Sequence, residues 1–390
     1  MAWKVESMEN IKQKFILLQQ TGQFSMTELC RQFGISRPTG YAILKRYESE
    51  GWEALDERSR RHQSHPGQTA ETIENAILGE RNRHPRWGAR KLLVLLQRAM
   101  PDAELPCEST VNNILKKHGL VVPRRKGRRK IINQYPYFDP QEPNQIWSTD
   151  FKGKFRMQNR VYCNPLTIAD SMSRYLFDIH GLEYCRTEDC KPIFEKVFRE
   201  YGMPEAIHSD NGPPFASSNS LHRLSTLAVW FMDLGIVPVY SDPGHPEQNG
   251  RHERMHRDLK AEATRPPASS WRSQQRRFDA FRREYNEIRP HESLAMKTPN
   301  EVHSRSKREY PQRVQEWIYP RDMKQKMVTV NGALRWNRDG LIMVSTALAG
   351  RFVGLEPVED AVWIVYYRQV ALGILHERMK RVYELGEYRL

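Results

Sequence analysis

Ala206-Ile207-His208-Ser209-Asp210-Asn211-Gly212 packs a short strand, an acid and a sharp turn into one stretch. Asn and Gly after the acid bend the chain away and leave the Asp210 carboxylate exposed. Two other acids have comparable settings. Asp150 ends Trp147-Ser148-Thr149-Asp150-Phe151, a strand-like run, and Glu253 follows Gln248-Asn249-Gly250-Arg251-His252 at the start of a helical stretch. Three carboxylates from separate elements supply hard oxygen donors, which suit Mg²⁺ or Mn²⁺ and not zinc. Two such ions activate a nucleophile and stabilise a leaving oxygen at phosphorus, and they need one shared carboxylate with a further one for each. Asp150, on the central strand, is the candidate for the shared position. Glu253, His256, Arg257 and Lys260 read as one helix face. On that face His256 and Lys260 either hold phosphate beside the metal or belong to a solvated basic stripe.

The composition agrees with phosphodiester chemistry. Lys and Arg number 61 against 47 Asp and Glu, for a net charge of +14, and the pI is near 9.5. That balance favours a polyanionic partner, because neutralising a phosphate backbone releases its counterions. The 39% of apolar residues allows proper cores, and 390 residues predict two to four domains. No apolar run approaches membrane-spanning length and no signal peptide is apparent, so a cytoplasmic, nucleoid-associated protein without a membrane partner is expected. Five scattered cysteines (Cys30, Cys107, Cys163, Cys185, Cys190) form no Cys-x-x-Cys pair, so a disulfide framework is not expected.

Outward from the acids, the chain divides. Residues 1–62 read as three helices, with a turn at Gly34 and a third helix from about Pro38 to Glu50 capped by Ser36. Short helix, glycine turn, helix is the helix-turn-helix layout. It would offer Arg37, Thr39, Tyr41, Lys45 and Arg46 to a major groove. Residues 63–122 predict a second, weaker helix-turn-helix or winged unit, with helices at Glu71–Arg83, Arg90–Arg98 and Ser109–His118. Ser109 is the expected cap there, and Lys116 and Lys117 lie on the final helix. Residues 123–139 are a basic linker in which Arg124, Arg125, Lys126, Arg128, Arg129 and Lys130 would track phosphates without reading sequence. From 140 to 302 strands and helices alternate in an α/β layout, including a helix over Leu221–Leu234. A charged linker, 303–325, precedes a small all-β domain at 326–390 with turns at Asn331-Gly332 and Arg338-Asp339-Gly340. Its strands would either grip DNA or pack against the core.

His208-Ser209-Asp210-Asn211-Gly212-Pro213-Pro214-Phe215, Pro246-Glu247-Gln248-Asn249-Gly250-Arg251-His252-Glu253-Arg254 and Tyr285-Asn286 with Arg289-Pro290-His291, Leu294 and Thr298-Pro299 resemble bacterial insertion-sequence transposases with a retroviral-integrase-like core. The resemblance covers about Asn144–Val302, and the tandem helix-turn-helix head extends it. It implies an RNase H-like integrase core between an all-α head and a small SH3-like β barrel. It implies an Asp150, Asp210, Glu253 triad holding two Mg²⁺ ions, for which Mn²⁺ can substitute. It further implies double-stranded DNA (element ends and target) as substrate and a homo-oligomer on paired ends. Between Asp210 and Glu253 lie 42 residues, more than this superfamily usually has, whereas Glu247 would leave 36. The Gln-Asn-Gly-x-x-Glu context favours Glu253, with the surplus expected in the long Leu221–Leu234 helix. The rival functional class is a DNA-binding protein or repressor with an inactive core.

Overall fold

The computed structural model describes residues 8–55, 68–121, 140–217, 223–241, 250–336 and 340–385. The chain forms two compact units, residues 1–71 and 72–390. In the first, helices α1 (Met8–Gln20), α2 (Met26–Gln32) and α3 (Arg37–Glu50) enclose Phe15, Ile16, Leu29, Cys30 and Leu44. Ser25 and Glu28 form a reciprocal capping box on α2, and the Ser36 hydroxyl accepts the Thr39 N–H to start α3. A side chain at Gly40 would put its Cβ 2.7 Å from Cys30 Sγ, so glycine there lets α3 lie close on α1 and α2. Arg37, Thr39, Tyr41 and Lys45 are on the exposed side of α3, whereas Arg46 is half-buried.

The second unit begins with three more helices, α4 (Glu71–Arg83), α5 (Ala89–Ala99) and α6 (Glu108–Lys117), closed around Ile77, Trp87, Leu92, Leu96, Val111 and Leu115. Cys107, and not Ser109, is the residue ahead of α6, which starts two residues earlier than a serine cap would place it. Lys116 is exposed, and Lys117 pairs with Glu74 on α4 at 3.0 Å.

A six-stranded sheet follows: β1 (Ile146–Phe151), β2 (Phe155–Arg156), β3 (Tyr162–Asp170), β4 (Leu176–Leu182), β5 (Ala206–Ser209) and β6 (Val237–Tyr240). Strand β3 runs antiparallel to β1, β2 and β4, while β1, β5 and β6 are mutually parallel. Strand alternation gives the sheet two different faces. Trp147, Leu166, Ile168 and Ile207 share a core with Phe194, Val197 and Phe198 of α7 (Thr187–Tyr201) and Leu227, Trp230 and Phe231 of α8 (Thr226–Asp233). On the opposite face Cys163, Leu176 and Ile179 meet Met255 and Leu259 of α9 (Gly250–Glu262) and Phe278 and Phe281 of α10 (Trp271–Arg283). A π-helical turn, Glu284–Ile288, and the short α11 (Pro299–Val302) close this layer. The helix expected over Leu221–Leu234 is shorter. Ser225 caps it by accepting the Ala228 N–H, and Ala216 and Leu224 are bridged ahead of it.

The C-terminal domain is all-β: β7 (Lys324–Met327), β8 (Ala333–Trp336), β9 (Gly340–Met343), β10 (Phe352–Glu359), β11 (Val362–Tyr367), β12 (Val370–His376) and β13 (Arg381–Tyr383). Five strands pair in the order β13-β12-β11-β10-β7, and the β8–β9 hairpin joins the end of β7 through a Val328–Leu334 bridge. Its core continues into α8, because Leu224, Ala228, Val229 and Met232 pack among Val328, Leu334, Val353, Leu355 and Val365. Of the two roles open to this domain, packing against the core is the one observed. The segment before it also packs: Arg308 donates to Leu234 O and Gly235 O beyond the end of α8.

Candidate active site

Parallel pairing of β1 with β5 carries the two aspartates to the same end of the sheet. Ile146, Trp147 and Ser148 lie opposite Ala206, Ile207 and His208, with Asp150 two residues past the last pair on one strand and Asp210 directly after the other. Both acids therefore lie at the carboxyl ends of neighbouring parallel strands, where open α/β sheets place their crevices. The turn after Asp210 is fixed from outside. Asn211 donates to Ser241 O at 2.7 Å beyond β6 and accepts from Arg223 at 2.6 Å, while Gly212 N–H donates to the Asp210 carboxylate at 3.2 Å. A Cβ on Gly212 would sit 3.2 Å from Asp210 Oδ2, so the turn crowds any larger residue.

Helix α9 lies along the same strand. Its buried stripe is His252, Met255, His256, Leu259 and Ala263, at helical spacing. Ser148 and Asp150 of β1, and Lys152 just beyond it, alternate toward it. Ser148 Oγ is 2.9 Å from His252 Nδ1, and Asp150 Oδ2 is 3.6 Å from His256 Nδ1. Lys152 feels Lys260 and Asp150; burial and then Lys260 push its pKa down, with Asp150 opposing. Thr167 of β3 touches both imidazoles, at 2.6 Å from His252 Nε2 and 2.8 Å from His256 Nε2. Burial drives His252 down to about 3 and His256 to about 2, the latter helped by His252 and Lys152, so both rings are neutral. Glu253, in the first turn of α9, is exposed between these two anchors.

The expected face of Glu253, His256, Arg257 and Lys260 is thus divided. Glu253, Arg257 and Lys260 are exposed, but His256 is only 6% exposed and bonded to Thr167. As a buried, uncharged ring it does not present itself to a phosphate, which corrects its expected role in DNA contact. Ser148, Lys152, Thr167 and His252 escaped the sequence reading. Glu247 and Arg124, Arg125, Lys126, Arg128, Arg129 and Lys130 lie outside the described residues.

As donors, Asp150, Asp210 and Glu253 are all carboxylates, and this chemistry fits a hard divalent cation. Among the described residues, no three His, Cys, Asp or Glu side chains converge as a metal-binding group. Asp150 and Asp210 lie at the carboxyl ends of neighbouring parallel strands, and Glu253 stands in the first turn of α9.

Residues 140–246 and 234–299 each match an integrase core domain. This chain carries an integrase core. Ahead of the core, residues 11–62 match a helix-turn-helix domain and 39–115 a homeodomain-like domain. The chain is 27% identical over 248 residues to the insertion element IS476 39.2 kDa protein of Xanthomonas euvesicatoria, covering 61% of this chain and 66% of that protein. It is 27% identical over 239 residues to the IS407 31.7 kDa protein of Burkholderia multivorans, covering 58% and 81%. The chain thus spans just under two thirds of the Xanthomonas protein's length. A similarity to the Pro-Pol polyprotein of simian foamy virus type 3, 27% over 121 residues, covers 31% of this chain and 10% of the polyprotein. Among solved structures, the magnesium complex of the HTLV-2 integrase catalytic core is similar over 43% of this chain and all of that one, at 16% identity and a TM-score of 0.34. Integrase from a simian T-cell lymphotropic virus intasome is similar over 76% of this chain and 97% of its own, at 16% and 0.37.

Proposed function

We propose that this protein is a DNA transposase that binds the terminal repeats of a mobile element, cuts a strand there and joins the freed 3′-hydroxyl to target DNA. The observation that carries the proposal is the place of Asp150 and Asp210 at the same end of the paired strands β1 and β5, with Glu253 on a helix anchored to β1 through Ser148–His252 and Thr167. Asp150, Asp210 and Glu253 would hold two Mg²⁺ or Mn²⁺ ions, which activate the attacking oxygen and stabilise the leaving one. The chain's own groups then perform the remaining work. Lys260 and Arg257, exposed on α9, and half-buried Lys152 would take phosphates flanking the scissile bond. Water attacks first, and the new 3′-hydroxyl second, at one site without a covalent protein–DNA intermediate.

In the first unit, exposed Arg37, Thr39, Tyr41 and Lys45 with half-buried Arg46 would read the element end. Lys116, Lys117 and the Arg124–Lys130 run would add further DNA contacts. Joining two ends in one complex calls for a homo-oligomer. No described helix is long and apolar enough to cross a membrane, and a nucleoid substrate places the activity in the cytoplasm.

The test is Mg²⁺-dependent strand transfer from a labelled element-end duplex into plasmid, comparing wild type with Glu247→Gln and Glu253→Gln. Loss confined to Glu253→Gln supports the triad. Loss confined to Glu247→Gln keeps the activity and moves the third acid. Tight end binding without joining by wild type favours a DNA-binding protein with a silent core.

A further inference from the structure

We propose that Thr167 is a positioning residue that sets α9, and with it Glu253, at a fixed height against β1 and Asp150. This rests on the reading of Asp150, Asp210 and Glu253 as a cation-binding set. Thr167 pairs with Asp150 in the antiparallel β1–β3 register and is fully buried. It interrupts an apolar strand, Leu166-Thr167-Ile168, where Leu166 and Ile168 face the α7–α8 core. Its hydroxyl oxygen is 2.9 Å from Asp150 O, 2.6 Å from His252 Nε2 and 2.8 Å from His256 Nε2.

The protons can be assigned. A carbonyl only accepts, so the single hydroxyl proton goes to Asp150 O, and the two oxygen lone pairs take an N–H from each imidazole. Both rings are then protonated at Nε2. That leaves His252 Nδ1 to accept from the Ser148 hydroxyl, 2.9 Å away. It also leaves the bare Nδ1 of His256 on the side of Asp150 Oδ2, 3.6 Å away. One side chain thus uses its full hydrogen-bonding capacity to tie the strand bearing Asp150 to two successive turns of the helix bearing Glu253. Glu253 falls between the tied positions, one residue after His252 and three before His256.

The experiment compares full-length wild type, Thr167→Ser, Thr167→Val and Asp150→Asn by calorimetric titration with Mn²⁺ alone, alongside melting temperature and duplex binding. Thr167→Ser keeps the three hydrogen bonds and is expected to bind Mn²⁺ as wild type does. Thr167→Val keeps the volume and loses them. It is expected to stay folded, bind duplex DNA unchanged and bind Mn²⁺ at least tenfold more weakly. Should Thr167→Val fail to fold, Thr167→Cys, of similar volume with a poor donor and acceptor, makes the same comparison. Wild-type Mn²⁺ affinity in Thr167→Val or Thr167→Cys overturns the proposal. Mn²⁺ binding untouched by Asp150→Asn would instead overturn the cation-site reading on which it rests.

Discussion

Helices α8 and α9 cover opposite faces of one sheet, and each carries buried polar groups that hold it to its neighbours. On α9 the groups that face β1 and β3 are imidazoles, His252 and His256 bonding to Ser148 and Thr167, while its buried Asp258 is paired with Arg289. On α8 the buried group is Asp233, 5% exposed, which receives the Tyr367 hydroxyl, Arg351 at 2.8 Å and Arg368 at 3.3 Å from the β domain. A buried carboxylate needs paired charge and hydrogen bonds to offset its desolvation, and two arginines with a tyrosine supply them. Asp150 instead has the buried imidazole of His256 3.6 Å from its Oδ2 and half-buried Lys152 close enough to feel its charge. The contrast separates a carboxylate enclosed by two arginines and a tyrosine from one at a strand end beside buried imidazoles.

The largest expected effect strikes the three candidate acids. Asp150→Asn, Asp210→Asn and Glu253→Gln should each lower strand cleavage by roughly 10³-fold or more, about 4 kcal/mol in the barrier, with end binding retained. A gel assay that finds any one of them cutting at near wild-type rate removes that residue from the site. Next comes the satisfied acid. Asp233→Ala strands Arg351, Arg368 and Tyr367, and should cost about 3–5 kcal/mol. This would appear as a lower melting temperature and proteolysis ahead of β7, whereas a melting temperature within a degree or so of wild type would deny Asp233 its docking role.

Acid should separate the two arrangements further. His252 and His256 have folded pKa values near 3 and 2, well below the ordinary 6.5. Above pH 6.5 each ring is neutral in both the folded and unfolded states, and their stabilisation is fully present. As pH falls below 6.5 only the unfolded chain takes up the protons, so stability is lost, by about 2 kcal/mol per ring at pH 5. Urea midpoints for wild type and His252→Gln should converge between pH 7 and 5; parallel curves would mean that this ring already carries a proton. The smallest effect belongs to an exposed pair. Arg98 and Glu301, each nearly half exposed at 3.0 Å, join α5 to α11, and Arg98→Ala should cost at most about 1 kcal/mol. A loss approaching that of Asp233→Ala would erase the distinction between buried and exposed pairs.

Much of this was legible in the sequence. Strand β6 coincides with the apolar run Val237–Tyr240, and α7 with an amphipathic period ended by Gly202. Asp170 caps locally, accepting from Asn144 N–H and Ser173, as a turn acid should. The rotation of α9 was not legible, because 253, 256, 257 and 260 fit one face as well as 252, 256 and 259 fit another. Only the partners Ser148 and Thr167, over 80 residues earlier in the chain, decide between them. The shortening of α8 was hidden because Leu221–Ser225 continues an acceptable helical pattern. Docking of the β domain did leave a sign. Asp233 is the one acid in Thr226–Asp233, a helix with Leu227 to Met232 all buried, and an acid in so apolar a setting implies a cationic lid.

The helices α4 to α6 are fastened to the layer that holds α9. His84 meets Glu284 at 3.0 Å, and Arg86 meets Asp258 at 3.4 Å, an acid also held by Arg289. Arg289 additionally lies over the Trp87 ring. Any base pairs read by α6 would therefore stand at a set distance from the bond that is cut. Such a protein would count nucleotides the way a caliper does, and inserting a single base pair between the two positions of an element end would move the wrong phosphate into the jaws.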